Sequence, residues 1–426
     1  MYVEAPRVHN YEDSVLQQLF HPQRRVLILD GAIATELNKR GFHLTPSLWC
    51  AHLLKENPKA IQDVHDSYLH EGGCDICTTA SYQVSKEGFE RYERLIADQN
   101  NDDHHQDEPE THHSPQTKKH SEEIVNQALR QSIRMAKEAV QHYENNKATQ
   151  VDINTTFGKK FVAASLSCFG ASISDITGIA KEYYGDYLDD DVDENREHYV
   201  HAVIKELSDE LYKIDQSPHK GGIEQVIYEF HLPRVRELLR EEPDFLLLET
   251  MPVLREVKIL CERVIPDALK ELKTNNQLPQ TRKQMILISF QCKDGEHTGH
   301  GEPIISCAKF VNEMNSQITM SHGDYQIVGM GVNCVSPSIT PSLLDNIDSA
   351  LNSDVAIIVY PNSGEIWDCS QQTWLPPSKE NEWDYEKDFI PFIKAWRDQH
   401  PHRRLIVGGC CRTGPNHICK LSKVLL

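Results

Sequence analysis

The sequence of 426 residues predicts a (β/α)8 barrel. Eight short apolar runs recur along the chain, helical patterns lie between them, and polar residues follow the runs directly. Most runs are continuously apolar rather than alternating, as expected for parallel strands buried on both faces. Alternating strands and helices indicate right-handed βαβ units, and eight such units close a barrel. A doubly wound sheet is the alternative, but no GxGxxG fingerprint follows the first run.

The predicted strands are, in chain order, RVLILD (25–30), CDICTTA (74–80), FVAASLS (161–167), DFLLLET (244–250), MILISF (285–290), YQIVGMGV (325–332), VAIIVY (355–360) and RLIVGG (404–409). Helical patterns are clear in four of the intervening segments, at 57–73, 121–143, 232–243 and 341–353. Residues 1–426 are interpreted as one barrel domain with two insertions. The first, at 98–123, is polar, acidic and rich in histidine, which predicts a disordered surface loop. The second, at about 185–197, is acidic.

Composition excludes several classes of function. The formal net charge of -20 argues against nucleic-acid binding, which requires a basic surface. No apolar stretch approaches 18 residues, so no membrane span is expected. The first residues lack a secretory signal pattern, which predicts a cytoplasmic protein, with nuclear access left open. The twelve cysteines are therefore expected to be reduced.

The polar residues that follow the strands define the candidate site, because the carboxyl ends of barrel strands share the catalytic face. They include Asp30, Gly31, Tyr82, Glu249, Asn333, Cys334, Cys410 and Cys411.

The three cysteines among them have the right chemistry for zinc. Thiolates are preferred Zn²⁺ ligands, and three protein ligands leave a fourth position open, as in catalytic sites. Adjacent cysteines in a regular strand point to opposite faces, so the chain must turn at Cys410 and Cys411, and Gly408 and Gly409 supply that freedom. Spacing alone leaves open that these are packing cysteines. The CxxC pair Cys74 and Cys77 is predicted to face opposite sides of a strand, in the core.

Six motifs together resemble the zinc-dependent homocysteine S-methyltransferases, in the branch that uses S-methylmethionine or S-adenosylmethionine. They are ILDGAIATEL (28–37), DICTTASYQVS (75–85), DFLLLETMP (244–252), GVNCVSP (331–337), YPNSGEIWD (360–368) and VGGCCRTGP (407–415). The resemblance implies a (β/α)8 barrel that binds one Zn²⁺ per chain through Cys334, Cys410 and Cys411. It also implies methyl transfer from the sulfonium donor to zinc-bound homocysteine, with methionine as product and no catalytic residue beyond the metal centre.

The resemblance also suggests substrate contacts. Glu249 is expected to bind the homocysteine ammonium, and Asp30 and Gly31 match a substrate-contact segment, although Asp30 could instead tie down its loop. Tyr82 is the best aromatic candidate for the sulfonium, ahead of Trp49, Phe290 and Trp367. Asn333 is expected to orient a ligand or a neighbouring group.

Alternatives remain at this stage. The acceptor could be another thiol or selenol such as selenocysteine, and the donor could be betaine, as in relatives of the family. A zinc-binding regulatory protein is the non-enzyme alternative, with His417 as a fourth ligand. The segment SCFGAS matches only the end of a glycine-rich family motif, which leaves the donor preference undecided.

Overall fold

The computed structural model describes residues 25–45, 47–101, 115–148, 159–172, 222–368, 373–376 and 383–426. It contains ten strands, namely β1 (Val26–Ile28), β2 (Ile76–Thr78), β3 (Phe161–Ser167), β4 (Phe245–Met251), β5 (Gln284–Phe290), β6 (Tyr325–Asn333), β7 (Ala356–Tyr360), β8 (Ile366–Asp368), β9 (Thr373–Leu375) and β10 (Leu405–Val407). Strands β8 and β9 form a separate antiparallel pair. The other eight coincide with the eight predicted runs.

Besides the helical residues 169–172, the described residues contain twelve α-helices: α1 (Ile33–Lys39), α2 (Leu53–Glu56), α3 (Pro58–Ser67), α4 (Lys86–Asn101), α5 (Pro115–Ala148), α6 (Gly222–Arg240), α7 (Leu254–Ile259), α8 (Ile265–Thr274), α9 (Ile304–Met320), α10 (Thr340–Ala350), α11 (Ile390–Gln399) and α12 (Pro415–Leu425). Three π-helical turns, at Tyr68–Gly72, Leu260–Val264 and Tyr385–Phe389, and one 3₁₀ turn at Pro337–Ile339 adjoin these helices.

The eight strands other than β8 and β9 form one parallel sheet in the order β1-β10-β7-β6-β5-β4-β3-β2. A parallel bridge between Leu29 and Ile76 joins its two outer strands and nearly closes the barrel. Asp75 strengthens this seam, because its carboxylate accepts from the backbone N–H of Ile28 at 2.9 Å. The predicted (β/α)8 architecture is therefore confirmed.

The core consists of two apolar layers. Side chains such as Leu27, Phe245, Leu247 and Ile358 fill the barrel interior. Alternate residues of the same strands, such as Leu246, pack outward against the helices in a larger cluster. This alternation places the next interior position of β4, Glu249, at the mouth of the barrel.

The structure corrects the prediction of a loop at 98–123, because both of its ends are helical. Residues 98–101 end α4, and residues 115–123 belong to α5, which begins at a proline. Proline suits the first helical position, where its missing N–H costs nothing, so the helix starts before its apolar face does. Residues 102–114 and the second insertion at 185–197 lie outside the described residues. In the described part of the chain, no helix combines the length and apolarity needed to cross a bilayer.

Candidate active site

A cleft opens at the carboxyl ends of the strands, with about 820 Å³ of empty space including the part open to solvent. Its lining comes from distant parts of the sequence and includes Asp30, Gly31, Trp49, Thr78, Tyr82, Ser165, Glu249, Thr250, Cys334, Tyr360, Cys410 and Cys411. All but one of the predicted site residues thus meet in one cleft, and Asn333 lies beneath it.

The three predicted cysteines form a compact cluster in this cleft. Their sulfur atoms all lie within 4.8 Å of one another, and the Sγ atoms of Cys334 and Cys411 are 3.6 Å apart. Backbone bonds fix the cluster, since the N–H of Cys410 donates to Pro361 O at 2.8 Å and the N–H of Cys411 donates to Asn362 Oδ1 at 3.1 Å. Cys334 has a left-handed φ of 54°, which turns its side chain out of the β6 alternation.

The glycines beside the cysteine pair have a different role from the predicted one. Neither Gly408 nor Gly409 has a positive φ, whereas Arg412, after the pair, has a φ of 69°. A Cβ on Gly408 would lie 2.7 Å from Leu29 Cβ, and one on Gly409 would collide with Thr413. Close packing of β10 against β1 and the following loop therefore requires these glycines, rather than an unusual backbone conformation.

The cluster suits a zinc ion. With Zn–S bonds of about 2.3 Å, tetrahedral thiolates lie about 3.8 Å apart, close to the 3.6 Å between the sulfurs of Cys334 and Cys411. The neighbouring sulfurs and burial raise the pKa of Cys410, so a cation is what would let these thiols ionise together. His417 is not part of the cluster, because neither of its ring nitrogens lies within 4.8 Å of all three sulfur atoms. Its Nδ1 accepts from the N–H of Gly414 at 3.1 Å, and its Nε2 lies 3.8 Å from Glu386 Oε1. Among the described residues, no His, Cys, Asp or Glu joins these three cysteines as a fourth possible ligand.

Glu249 lies in the same cleft, with its carboxylate held by two hydroxyls. Ser165 donates to Oε1, and the Tyr360 hydroxyl donates to Oε2 at 3.1 Å. Burial raises the pKa of Glu249 to about 7, even though both hydrogen bonds lower it. A cationic group entering the cleft would offset that cost and stabilise the carboxylate. Neither Ser165 nor Tyr360 was predicted, although Tyr360 begins the quoted YPNSGEIWD motif.

Asp30 is buried just after β1, and its carboxylate accepts two hydrogen bonds from Thr78. The N–H and hydroxyl of Thr78 donate to it at 2.8 and 2.9 Å. Burial is the main cause that raises its pKa well above the usual range. These bonds tie the β1 and β2 loops together, which is the alternative role considered for Asp30. Gly31 lines the cleft where a Cβ would lie 2.9 Å from both Thr413 O and the Tyr68 hydroxyl.

Asn333 is fully buried and hydrogen-bonds to Thr250 and Ser289. Its Oδ1 accepts from the N–H of Thr250 and the hydroxyl of Ser289, each at 2.8 Å, and its Nδ2 donates to the Thr250 hydroxyl at 2.8 Å. Thr250 has a φ of 57°, an unfavourable value for a β-branched residue. Asn333 therefore holds a strained residue in the cleft wall, and its Nδ2 also lies 3.9 Å from Cys410 Sγ.

Among the aromatic candidates whose side chains are described, two face the cleft. Tyr82 and Trp49 line it together, with ring centroids 6.4 Å apart. Phe290 is instead part of the outer core, and Trp367 lies in β8. The CxxC prediction was partly wrong, because the sulfurs of Cys74 and Cys77 are 3.7 Å apart in the core. Cys74 precedes β2 and follows Gly73, whose φ is 72°, so strand alternation does not apply to it.

Comparisons with known proteins identify the family of the chain. A model of the family described as homocysteine S-methyltransferase matches residues 27–425. Homocysteine S-methyltransferase YbgG of Bacillus subtilis is 30% identical over 93% of both chains, and homocysteine S-methyltransferase of Escherichia coli is 29% identical over 93% of this chain and 94% of its own. The metallated form of homocysteine methyltransferase MmuM from Escherichia coli superposes with a TM-score of 0.60 at 25% identity, covering 96% of this chain and 99% of the other.

Proposed function

The chain belongs to the homocysteine S-methyltransferase family, and on that premise we propose that it transfers a methyl group from a sulfonium donor to the thiol of homocysteine, forming methionine. The observation that carries this proposal is the cluster of three cysteine sulfurs in a cleft that also holds the Glu249 carboxylate. S-methylmethionine and S-adenosylmethionine are the proposed donors.

Cys334, Cys410 and Cys411 would hold one zinc ion. When bound, zinc supplies an open fourth position for the substrate sulfur and lowers the pKa of that thiol. Asn333 would support this arrangement, because it holds Thr250, the residue after Glu249, and its Nδ2 lies 3.9 Å from Cys410 Sγ.

Glu249 is proposed to bind the homocysteine ammonium. Its hydroxyl partners orient the carboxylate, and burial raises its pKa because no Lys, Arg or His among the described residues pairs with it. An ammonium at this position forms a charge-assisted hydrogen bond and keeps Glu249 ionised. The amino acid is thereby positioned with its thiol toward the cysteines.

The aromatic wall formed by Trp49 and Tyr82 is proposed to face the donor, since a sulfonium cation is attracted to aromatic faces. The homocysteine thiolate attacks the donor methyl carbon as the methyl–sulfur bond of the sulfonium breaks. The bonding electrons stay on the donor sulfur, which leaves as a neutral thioether. No proton is transferred in this displacement, so the protein contributes mainly positioning and exclusion of water.

The test combines zinc content with a methyl-transfer assay. Purified chain receives homocysteine with S-methylmethionine, S-adenosylmethionine or betaine, and methionine is measured. We expect about one zinc per chain and methionine from a sulfonium. Cys410→Ser should lose the metal and at least a hundredfold in rate, whereas Cys419→Ser, in α12 outside the cleft, should lose neither. Methionine from betaine alone, or metal binding without transfer to homocysteine, would contradict the proposal. Transfer to selenocysteine instead would support the alternative acceptor.

The role of Glu249 has its own readout. Glu249→Gln should raise the KM for homocysteine at least tenfold, because it removes the charge that pairs with the ammonium. A thiol of similar length without an amino group should react equally with native and variant chains. If the variant loses activity equally toward both thiols, Glu249 acts on the metal cluster or the fold rather than on the ammonium.

A further inference from the structure

A second group of potential metal ligands lies far from the cleft, on the outer helical layer. Asp66 is in α3, His70 is in the π-helical turn that follows it, and His142 is near the end of α5. One ligand atom from each of the three side chains lies within 4.8 Å of the others. These elements lead into β2 and β3, so the group lies toward the amino-terminal ends of the strands, opposite the cleft.

The Asp66 carboxylate makes this group more than a chance meeting of surface side chains. Its Oδ1 atom is shielded from solvent, and no hydrogen-bond donor among the described residues reaches it. A shielded carboxylate oxygen without a partner costs free energy unless a cation or donor satisfies it. His70 and His142, by contrast, are exposed, so an ion can enter from solvent.

The surroundings orient both imidazoles. The ring of His70 packs against Tyr143, with centroids 4.9 Å apart, and stands edge-on to His142 at 6.5 Å. The amide of Asn146 lies 3.2 Å from Nε2 of His142. An imidazole has two nitrogens, so such a contact can hold the ring while the other nitrogen binds a metal.

We propose that Asp66, His70 and His142 form a second site, which binds a divalent first-row cation of the Zn²⁺, Co²⁺ or Ni²⁺ class. Two imidazoles and one carboxylate are suitable ligands for these ions, and solvent completes the coordination. The ion joins α3 and its π-helical turn to α5. Because the ligands meet only in the folded chain, binding stabilises the fold rather than the reaction in the cleft.

The experiment must separate this site from the cysteine cluster and from the histidines of the 98–123 segment. The background is therefore the full chain with His104, His105, His112, His113 and His120 changed to Asn. One equivalent of Zn²⁺ is added first to occupy the cysteines, and Co²⁺ is then titrated by equilibrium dialysis and visible absorption. Thiolate ligation of Co²⁺ produces intense charge-transfer absorption, which ligation by imidazole and carboxylate does not.

We expect one Co²⁺ per chain, weak d–d absorption without thiolate charge transfer, and a rise in the unfolding temperature. His70→Ala and His142→Ala should each weaken Co²⁺ binding at least tenfold and abolish the rise. His43→Ala, which removes an exposed histidine outside this group, should change neither. The proposal is overturned if no Co²⁺ binds, if both variants bind it as tightly as the background, or if the spectrum shows thiolate ligation.

Discussion

The Glu249 carboxylate is held at the barrel mouth by the hydroxyls of Ser165 and Tyr360. The apolar run before it identified a buried strand, and the strand's carboxyl end located the side chain at the barrel mouth. Its partners Ser165 and Tyr360 come from β3 and β7, and they depend on strand register and barrel curvature. Those properties arise only when the whole sheet is assembled, so the sequence predicted the carboxylate without its surroundings.

His65 is a second residue whose behaviour follows from its surroundings. It lies in α3, fully buried within 4.8 Å of Asp30 and Cys77, and none of the described residues hydrogen-bonds to either ring nitrogen. Burial lowers its pKa to about 4. The unfolded chain, with a histidine pKa of about 6.5, therefore binds more protons than the folded chain between these values. This contribution to stability is complete above pH 6.5 and is lost as the pH falls toward 4.

We therefore expect His65→Leu to flatten the pH dependence of stability. In the native chain, the lowered pKa of His65 should reduce the free energy of unfolding by about 3 kcal/mol as the pH falls from 6.5 to 4. This follows from about 1.36 kcal/mol per unit of pKa difference. Urea unfolding at several pH values measures the slope. His43→Leu, at an exposed position, serves as the control and should keep the native slope. If His65→Leu shows the same slope as the native chain, the imidazole does not titrate as described.

At the scale of elements, the eight barrel strands were predictable because buried parallel strands are short, apolar and rich in β-branched residues. The β8–β9 pair was not predicted, because two three-residue strands carry too little pattern. The start of α5 was missed for a different reason. Its first turns lack an apolar face, and helix formation there depends on continuation into the amphipathic part after residue 123.

Cys334 directly follows strand β6, and the glycines of this strand allow a test at this scale. A Cβ on Gly331 would fall on the backbone carbonyl of Ile358 in β7, which cannot move without breaking the sheet. One on Gly329 would meet only side-chain ends, Leu287 Cδ2 at 2.8 Å and Ile358 Cδ1 at 3.0 Å. We expect Gly331→Ala to lower the free energy of unfolding by about 3 kcal/mol and to weaken metal binding at Cys334. Gly329→Ala should lower the free energy of unfolding by only about 1 kcal/mol.

Unfolding in urea and zinc content of the two glycine variants check this prediction. Equal losses of stability in both variants would show that the sheet adjusts at Gly331 as easily as at Gly329. Retention of zinc by a destabilised Gly331→Ala would mean that the cysteine cluster does not depend on the register between β6 and β7.

At the scale of the whole molecule, closing the barrel brings the loops after its first and last strands together at the site. The loop after β1 supplies Asp30 and Gly31, and the loop after β10 supplies Cys410 and Cys411. The N–H of Gly409 donates to Asp30 O at 3.1 Å, so the two loops also bind each other. Sequence reasoning predicted this meeting from topology alone, because parallel barrel strands share one catalytic face. Sequence reasoning could not predict the contacts between β1 and β2 that close the barrel and keep these loops together.

Asp75 is central to that seam. Besides accepting from the N–H of Ile28, its carboxylate pairs with the ammonium of Lys160 at 3.0 Å, and both side chains are more than 90% buried. Asp75 thereby joins the start of β2 to β1 and to the residue preceding β3. Asp75→Asn keeps an acceptor for Ile28 but leaves the Lys160 ammonium buried without a carboxylate. Breaking a buried pair in this way costs about 3–5 kcal/mol.

Urea unfolding of Asp75→Asn should therefore show a loss of that size. Asp63→Asn offers a matched control, because Asp63 also pairs with a lysine, Lys59, at 2.7 Å, but on the exposed surface. Exposed pairs of this kind contribute about 0–1 kcal/mol. Adding Lys160→Met to Asp75→Asn removes the unpaired charge and should recover part of the loss. If the two aspartate variants are equally stable, or if the second substitution adds to the loss, the ion pair does not close the barrel and the backbone bridge between Leu29 and Ile76 must do so without it.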